Sequence, residues 1–143
     1  MLKFRYSDFI KAIFLLFFSI VIFIVCVGLF YEESYYYKKN DFFEYQILTL
    51  GEVKEMPFIS ENYKIYYYSP DGTQRLTNGV IFYHSTPDRK FELIKYIEQL
   101  GFQQYEKKPF SEKNKNEFWI KGNNEVNIVE NEKDRTIDIS FIK

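Results

Sequence analysis

The sequence predicts an α+β protein in which one membrane-spanning helix precedes a small two-layer domain. Three observations predict this class. A long uncharged apolar block lies near the N-terminus, short segments in the second half alternate apolar and polar residues, and one segment between them has helical spacing. We expect an antiparallel sheet of about five to six strands and one main helix, at about residues 87–100.

The apolar block runs from Ala12 to Tyr31 without a charged residue. As an α-helix it would be about 30 Å long, which matches the hydrocarbon thickness of a bilayer. A cleaved signal peptide has a shorter apolar region and a small-residue cleavage site, which the segment Cys26 to Gly28 matches poorly. A lipidated Cys26 would normally follow a small residue, whereas Val25 precedes it. We therefore expect an uncleaved signal anchor, and cleavage and lipidation stay open as alternatives.

Charges beside this block predict its direction in the membrane. Lys3, Arg5 and Lys11 precede it, and two glutamates follow it at once. Because basic residues favour the cytoplasmic side, residues 1–11 are expected to be a cytoplasmic tail. The soluble domain would then lie on the periplasmic side of a bacterial inner membrane, and membrane lipid is an expected partner through the N-terminal helix.

Small residues recur along the predicted span. Ala12, Ser19 and Cys26 are seven positions apart and fall near one face of the helix. Small side chains on one face allow another helix to approach closely, so these residues are candidates for a helix–helix contact in the membrane. Chance is the alternative, because no small-xxx-small pair is present.

The part after the span divides into two regions. Residues 32–60 are predicted to be a juxtamembrane linker with one short element, because residues 42–50 fit a helix stripe and a strand almost equally. Residues 61–143 carry the signals of a compact α+β domain. The strand candidates in it are 63–69, 79–84, 102–107, 117–121, 125–129 and 136–142.

The main helix has recognisable ends. Ser85 or Thr86 can cap it, Pro87 suits its first position, and Gly101 suits its C-terminal end. The spacing predicts an inward stripe, and Lys90 lies off that stripe and is expected to face water. The stripe consists of Phe91, Ile94, Ile97 and Leu100.

The inventory of reactive groups excludes several function classes. The net charge is −1, whereas nucleic-acid binders usually carry a basic patch. One cysteine, in the apolar block, and one histidine argue against a zinc site, and no calcium loop or nucleotide loop is found. We expect no cofactor, no metal and no catalytic residue. His84 ends a strand before a helix, where active-site residues often lie, but a structural histidine bonded to the backbone is the favoured reading.

Two features could bind a protein partner. The loop around Phe110 carries Lys108 and Lys113, and an exposed aromatic among lysines can anchor an acidic surface. The second feature is a set of tyrosines, Tyr66, Tyr68 and Tyr83, which would form an adhesive patch on a sheet face not covered by the helix. The alternatives are a solvated loop and a second small core with residues 42–50.

These observations favour a single-pass, membrane-anchored periplasmic protein that binds another protein and has no catalytic activity. Its partner would be a protein of the envelope: either a complex of which the chain is an accessory subunit, or a periplasmic toxin that it neutralises as an immunity protein. The alternative is a small envelope enzyme that acts on polymer or lipid with His84.

Overall fold

The computed structural model describes residues 6–30, 34–68, 70, 74–105 and 115–143. The chain divides into two compact units, Met1–Glu33 and Ser34–Lys143. The described residues of the first form one helix, and those of the second form a β-sheet with a helical layer.

The N-terminal unit is the helix α1, Tyr6–Phe30. Within it, Ile10–Gly28 has a mean hydropathy of 3.0, and none of this window is buried inside the protein. By length and composition the helix is able to cross a membrane, so the predicted apolar helix is confirmed. The helix begins at Tyr6, six residues before the predicted start of the span at Ala12.

Seven strands form one antiparallel sheet, whereas the sequence predicted five to six. Each of the six predicted strands is present, with ends that differ by at most two residues from those expected. The order across the sheet is β1-β2-β3-β7-β6-β5-β4. The strands are β1 Ser34–Tyr37, β2 Tyr63–Tyr68, β3 Thr77–Tyr83, β4 Gln103–Tyr105, β5 Lys115–Lys121, β6 Asn124–Asn131 and β7 Thr136–Ile142.

The strand missed by the sequence is β1, which pairs with β2 along four residues. We expected residues 32–60 to be a linker; instead Ser34 begins the compact unit, and Tyr37 is 3% exposed in the core. The run Ser-Tyr-Tyr-Tyr gave no alternation of apolar and polar residues, so only pairing with β2 identifies it as a strand. Residues 42–50, which were ambiguous, contain the helix α2, Phe42–Leu48, and α3 follows at Gly51–Glu55.

The predicted main helix consists of two parts: a 3₁₀ turn, Pro87–Arg89, and the α-helix α4, Lys90–Gln99, which follows it directly. Gly101 closes it with a φ of 85°, a left-handed conformation that glycine adopts readily. Its inward face is built on Leu93 and Ile97, which are fully buried, and not on Phe91, which is 69% exposed. The stripe was wrong at this position because Phe91 lies two residues, or about 200°, from Leu93 on the helix.

Lys90 also departs from expectation. Its Nζ is 2.8 Å from Glu117 Oε1 on β5 and 2.8 Å from Glu130 Oε2 on β6. These two carboxylates hold the first turn of α4 against the sheet, so the ammonium is drawn out of water and across the sheet surface.

The hydrophobic core lies between the helical layer and one face of the sheet. Strand residues Ile65, Val80 and Ile139 are completely buried there, and Val53 of α3 and Leu93 of α4 pack on them. Because successive strand residues point to opposite faces, residues adjacent to these along each strand lie on the second face of the sheet. That second face carries the candidate site.

Candidate functional site

Three tyrosines lie together on the second face, at the β1–β2 side of the sheet. Tyr66 and Tyr68 alternate with the buried Ile65 on β2, and Tyr36 is the register partner of Tyr66 on β1. The ring centroids of Tyr66 and Tyr68 are 5.2 Å apart, and that of Tyr36 is 6.2 Å from Tyr66. The hydroxyls of Tyr36 and Tyr68 are 2.7 Å apart and share a hydrogen bond. Cross-strand pairing thus brings three rings into one cluster.

Tyr66 reaches across β3 because the residue opposite it is glycine. A Cβ placed on Gly79 would lie 2.5 Å from the carbonyl oxygen of Ile139 and 2.5 Å from the Tyr66 ring. The ring therefore occupies the space of the missing side chain, and its hydroxyl donates a hydrogen bond of 2.8 Å to Asp138 Oδ1 on β7. Gly79 is what allows a β2 side chain to contact β7.

Asp138 is a partly buried carboxylate with an unusual acidity. Burial raises its pKa to about 6, although the hydrogen bond from Tyr66 opposes the shift. In return, burial and the Asp138 charge raise the pKa of the Tyr66 phenol far above its ordinary value. The phenol stays protonated and acts as the donor, so near neutral pH the pair is a carboxylate held by one phenol.

The rim of the cluster is more open. Tyr36 is 49% exposed, and the ammonium of Lys64 lies 4.7 Å from the centroid of its ring. The hydrogen bond with Tyr36, followed by burial, raises the pKa of Tyr68 to about 12. We call this cluster the tyrosine surface; it consists of Tyr36, Lys64, Tyr66, Tyr68 and Asp138. Because Tyr66 is only 6% exposed, the accessible part of this surface consists of the Tyr36 and Tyr68 rings with their hydroxyls and the Lys64 ammonium, which is the chemistry of recognition.

Sequence reasoning found part of this surface. Tyr66 and Tyr68 are brought together, but Tyr83 is four positions beyond Gly79 on β3, about 13 Å along the strand. The expected alternative, a second core between these tyrosines and residues 42–50, is absent from the described part, because Leu48 packs into the core on the opposite face. Phe110, Lys108 and Lys113 lie outside the described residues.

Sequence reasoning did not predict that Tyr36 and Asp138 belong to the tyrosine surface. The alternation of apolar and polar residues in β7 correctly predicted that Asp138 faces away from the core, on the second face. Its proximity to Tyr66, however, depends on strand order, since β2 and β7 are separated by β3. Tyr36 was predicted to lie in a linker, so it was not assigned to either face of the sheet.

A second concave site surrounds His84. The cavity measures about 240 Å³, and its walls include His84, Ser85, Glu130 and Arg135. Within the described ranges, the two non-glycine residues with positive φ, His84 at 54° and Arg135 at 52°, both lie here. Such conformations are uncommon outside glycine and cluster at functional sites. This cleft is therefore the second candidate.

The cleft does not assemble a catalytic relay among the described residues. His84 is exposed, contrary to the expected structural histidine, and its side chain has no hydrogen bond to a described residue. The Ser85 hydroxyl is buried without a partner, so it caps nothing. The Glu130 carboxylate forms an ion pair with Lys90, in which Oε2 lies 2.8 Å from Nζ. The residues are gathered, but no base is bonded to a nucleophile.

The three small residues predicted to contact another helix in the membrane all lie on α1. Ala12, Ser19 and Cys26 are exposed, and helical geometry keeps residues seven apart within about 20° of each other.

Across the described segments, no group of three or more His, Cys, Asp or Glu side chains could hold a metal ion.

The fold and the surface define a class: an apolar N-terminal helix joined to an α+β domain whose seven-stranded antiparallel sheet has helices on one face and tyrosines on the other. No protein-family model matches the chain, and no curated protein or solved structure is significantly similar to it.

Proposed function

We propose that the chain is a single-pass, membrane-anchored binding module without catalytic activity. In this proposal α1 crosses the bacterial inner membrane with the N-terminus in the cytoplasm, and the unit Ser34–Lys143 lies in the periplasm. There the tyrosine surface binds a protein of the envelope. The anchor concentrates the domain near other membrane proteins and so increases its effective affinity for them.

The observation that carries this proposal is the tyrosine surface itself. Tyrosines are enriched in protein interfaces because a rigid ring buries much apolar area while its hydroxyl keeps a hydrogen-bond partner. Tyr36 is half exposed at the rim of this surface, on an edge strand. Asp138 and Lys64 add one charge of each sign within the same surface.

Photo-crosslinking in living cells tests the binding surface. Tyr36 is replaced by p-benzoylphenylalanine, and Phe91, an aromatic that is 69% exposed on α4, is replaced in the same way as the matched control. We expect a discrete protein adduct at position 36 that is absent at position 91. Absence of any adduct at position 36, with the chain present in the membrane, would reject the proposal.

The orientation is tested by cysteine labelling, since Cys26 is the single cysteine of the chain. In a Cys26→Ser background, Glu98→Cys and Ser7→Cys are treated with a membrane-impermeant maleimide on intact spheroplasts. We expect labelling of the Glu98→Cys variant at once and of the Ser7→Cys variant only after lysis. The reverse order would place the domain in the cytoplasm.

Two forms of the binding role are proposed: an accessory subunit of an envelope complex, and an immunity protein against a periplasmic toxin. Identification of the adduct by mass spectrometry separates them. A resident envelope protein supports the first. Protection of a sensitive strain by the chain against a toxin that crosslinks at Tyr36 supports the second.

A second candidate function is a small envelope enzyme that uses His84, and the cleft beside Ser85 and Glu130 is the observation that favours it. The purified chain would be incubated with labelled cell-wall polymer and with labelled phospholipid. Turnover that is lost in His84→Ala and kept in the exposed control Glu98→Gln would support this function; equal turnover in both variants would exclude His84.

A further inference from the structure

The short helix α2 presents apolar side chains to solvent. Phe42 is 65% exposed, Phe43 is 67% exposed and Ile47 is 53% exposed. The two rings contact each other edge to face, with centroids 5.7 Å apart. On a helical projection these three residues span about 140°, and Leu48, which is buried, lies on the other side. The helix is thus apolar on its outer face as well as on its inner face.

This outer face is held in place by the core beneath it. The Tyr37 hydroxyl and Thr49 Oγ1, just after α2, are 3.0 Å apart and both residues are buried. The Leu50 N–H donates to Asn78 Oδ1 on β3 at 2.8 Å. Lys54 Nζ donates to the Gln46 carbonyl at 2.9 Å. Because these bonds fix the C-terminal end of α2 and Leu48 is buried in the core, the phenylalanines stay on the outer side of the helix.

The position of α2 in the chain favours lipid as the occupant of this face. It begins twelve residues after the end of α1 at Phe30, so an anchored domain always has a bilayer within reach of this helix. Lys38 and Lys39 precede it, and phenylalanines beside lysines are the chemistry of interfacial membrane contact. The ammonium of Lys39 lies 3.4 Å from the centroid of the Phe58 ring, so this lysine is held close to aromatic surface of the domain.

We propose that Phe42, Phe43 and Ile47 insert into the interfacial region of the membrane that holds α1, which makes α2 a second lipid contact of the chain. The inference rests on the proposed anchoring by α1 and extends it from a tether to a docked domain. Docking would restrict the directions in which the tyrosine surface can meet a partner.

Fluorescence quenching tests this inference on the full chain in phosphatidylglycerol and phosphatidylcholine vesicles with brominated acyl chains. The background variant is Trp119→Phe, since Trp119 is the single tryptophan and its buried Nε1 has no partner to lose. Phe43→Trp is the reporter, and Ile47→Trp is a second reporter on the same face. Phe91→Trp, at 69% exposure, is the matched control.

We expect emission from the Phe43→Trp variant to be blue-shifted and quenched by about two-fold or more in brominated vesicles, because the ring enters the acyl boundary. The Phe91→Trp variant should emit as in water and be unquenched. Equal quenching of reporter and control, or quenching of neither reporter, overturns the inference. A blue shift without quenching that depends on protein concentration identifies a second copy as the occupant and also overturns it.

The same samples separate this inference from the anchoring on which it rests. Carbonate extraction shows whether the chain is integral to the membrane. If it is extracted, the anchoring fails; if it is retained while Phe43→Trp and Ile47→Trp are unquenched, the docking alone fails.

Discussion

At the scale of single residues, Asp138 is a carboxyl group whose environment changes its acidity. It is partly buried on a central strand and has Tyr66 as its hydrogen-bond donor, so its pKa rises to about 6 from an ordinary value of 3.8. The folded state therefore holds this proton more tightly than the unfolded state does. By linkage, the free energy of unfolding contributed by Asp138 falls as pH rises from about 4 to about 6 and is constant above that.

We predict that Asp138→Asn is more stable than the parent chain above pH 6 and that this advantage disappears below pH 4. The gain in free energy of unfolding is at most about 3 kcal/mol, because a pKa shift of about two units corresponds to roughly 2.7 kcal/mol. We expect about half of that. Urea unfolding followed by Trp119 fluorescence, at several pH values, measures it. Exposed Glu98→Gln serves as the control. A difference between Asp138→Asn and the parent that does not vary with pH would contradict the raised pKa.

Gly79 is a position where one methyl group has large consequences. Its added Cβ would meet a backbone carbonyl oxygen at 2.5 Å and the Tyr66 ring at 2.5 Å. The carbonyl belongs to the neighbouring central strand and cannot move without disturbing the sheet. The cost is therefore one of overpacking in the interior.

We predict that Gly79→Ala lowers the free energy of unfolding by about 2 kcal/mol or more and displaces Tyr66 from Asp138. Gly51→Ala is the matched control, because a Cβ there meets nothing within 4 Å; that variant should be neutral or slightly stabilising. Thermal unfolding gives both values. Equal stability of the two variants would show that the sheet accommodates the methyl group.

At the scale of elements, the contact between α4 and the sheet combines apolar and ionic parts. Leu93 and Ile97 are buried against the core, and Lys90 bridges Glu117 and Glu130. Burial opposes the charge of Lys90, but the hydrogen bonds that its ammonium donates to the two carboxylates raise its pKa, so the ammonium stays charged. Glu130 is 6% exposed, so its charge depends on this lysine for compensation.

We predict that Lys90→Met destabilises the domain by about 2–4 kcal/mol, because it leaves two carboxylates close together and one of them buried. Arg89→Met is the control: its ion pair with Glu92 is exposed to solvent, so its loss should change stability far less than the loss of Lys90. Denaturant titrations compare them. Similar losses from both variants would mean that Lys90 contributes no more than a surface pair.

At the scale of the whole molecule, the two units have different sources of stability. The hydrogen bonds of an α-helix are internal to it, and the span of α1 has a mean hydropathy of 3.0. A detergent micelle or bilayer therefore maintains the helix independently of a folded domain. The unit Ser34–Lys143 depends on one core between its sheet and its helices.

We predict two separate responses to urea in detergent. Emission of Trp119, which is 4% exposed in the domain, should shift in one cooperative transition. Helical circular dichroism should then level off at a residual signal from α1 rather than fall to zero. Loss of both signals in a single transition would indicate that the two units are thermodynamically coupled.

Features with a local cause were determined by the sequence alone. The apolar helix, six of the seven strands, the position of α4 and the outward direction of Tyr66, Tyr68 and Asp138 follow from periodicity, charge and turn residues. Each of these depends on neighbours within a few positions of the chain, so one sequence is enough to read them.

Features that require distant segments to meet were decided by the tertiary structure. The strand β1 exists because it pairs with β2 twenty-eight or more residues away, and Phe91 faces solvent because the sheet selects which side of α4 is covered. Tyr66 meets Asp138 only because β3 lies between their strands and carries glycine at that point. Periodicity assigns a residue to a face, but the order and register of strands decide which residues on that face are neighbours.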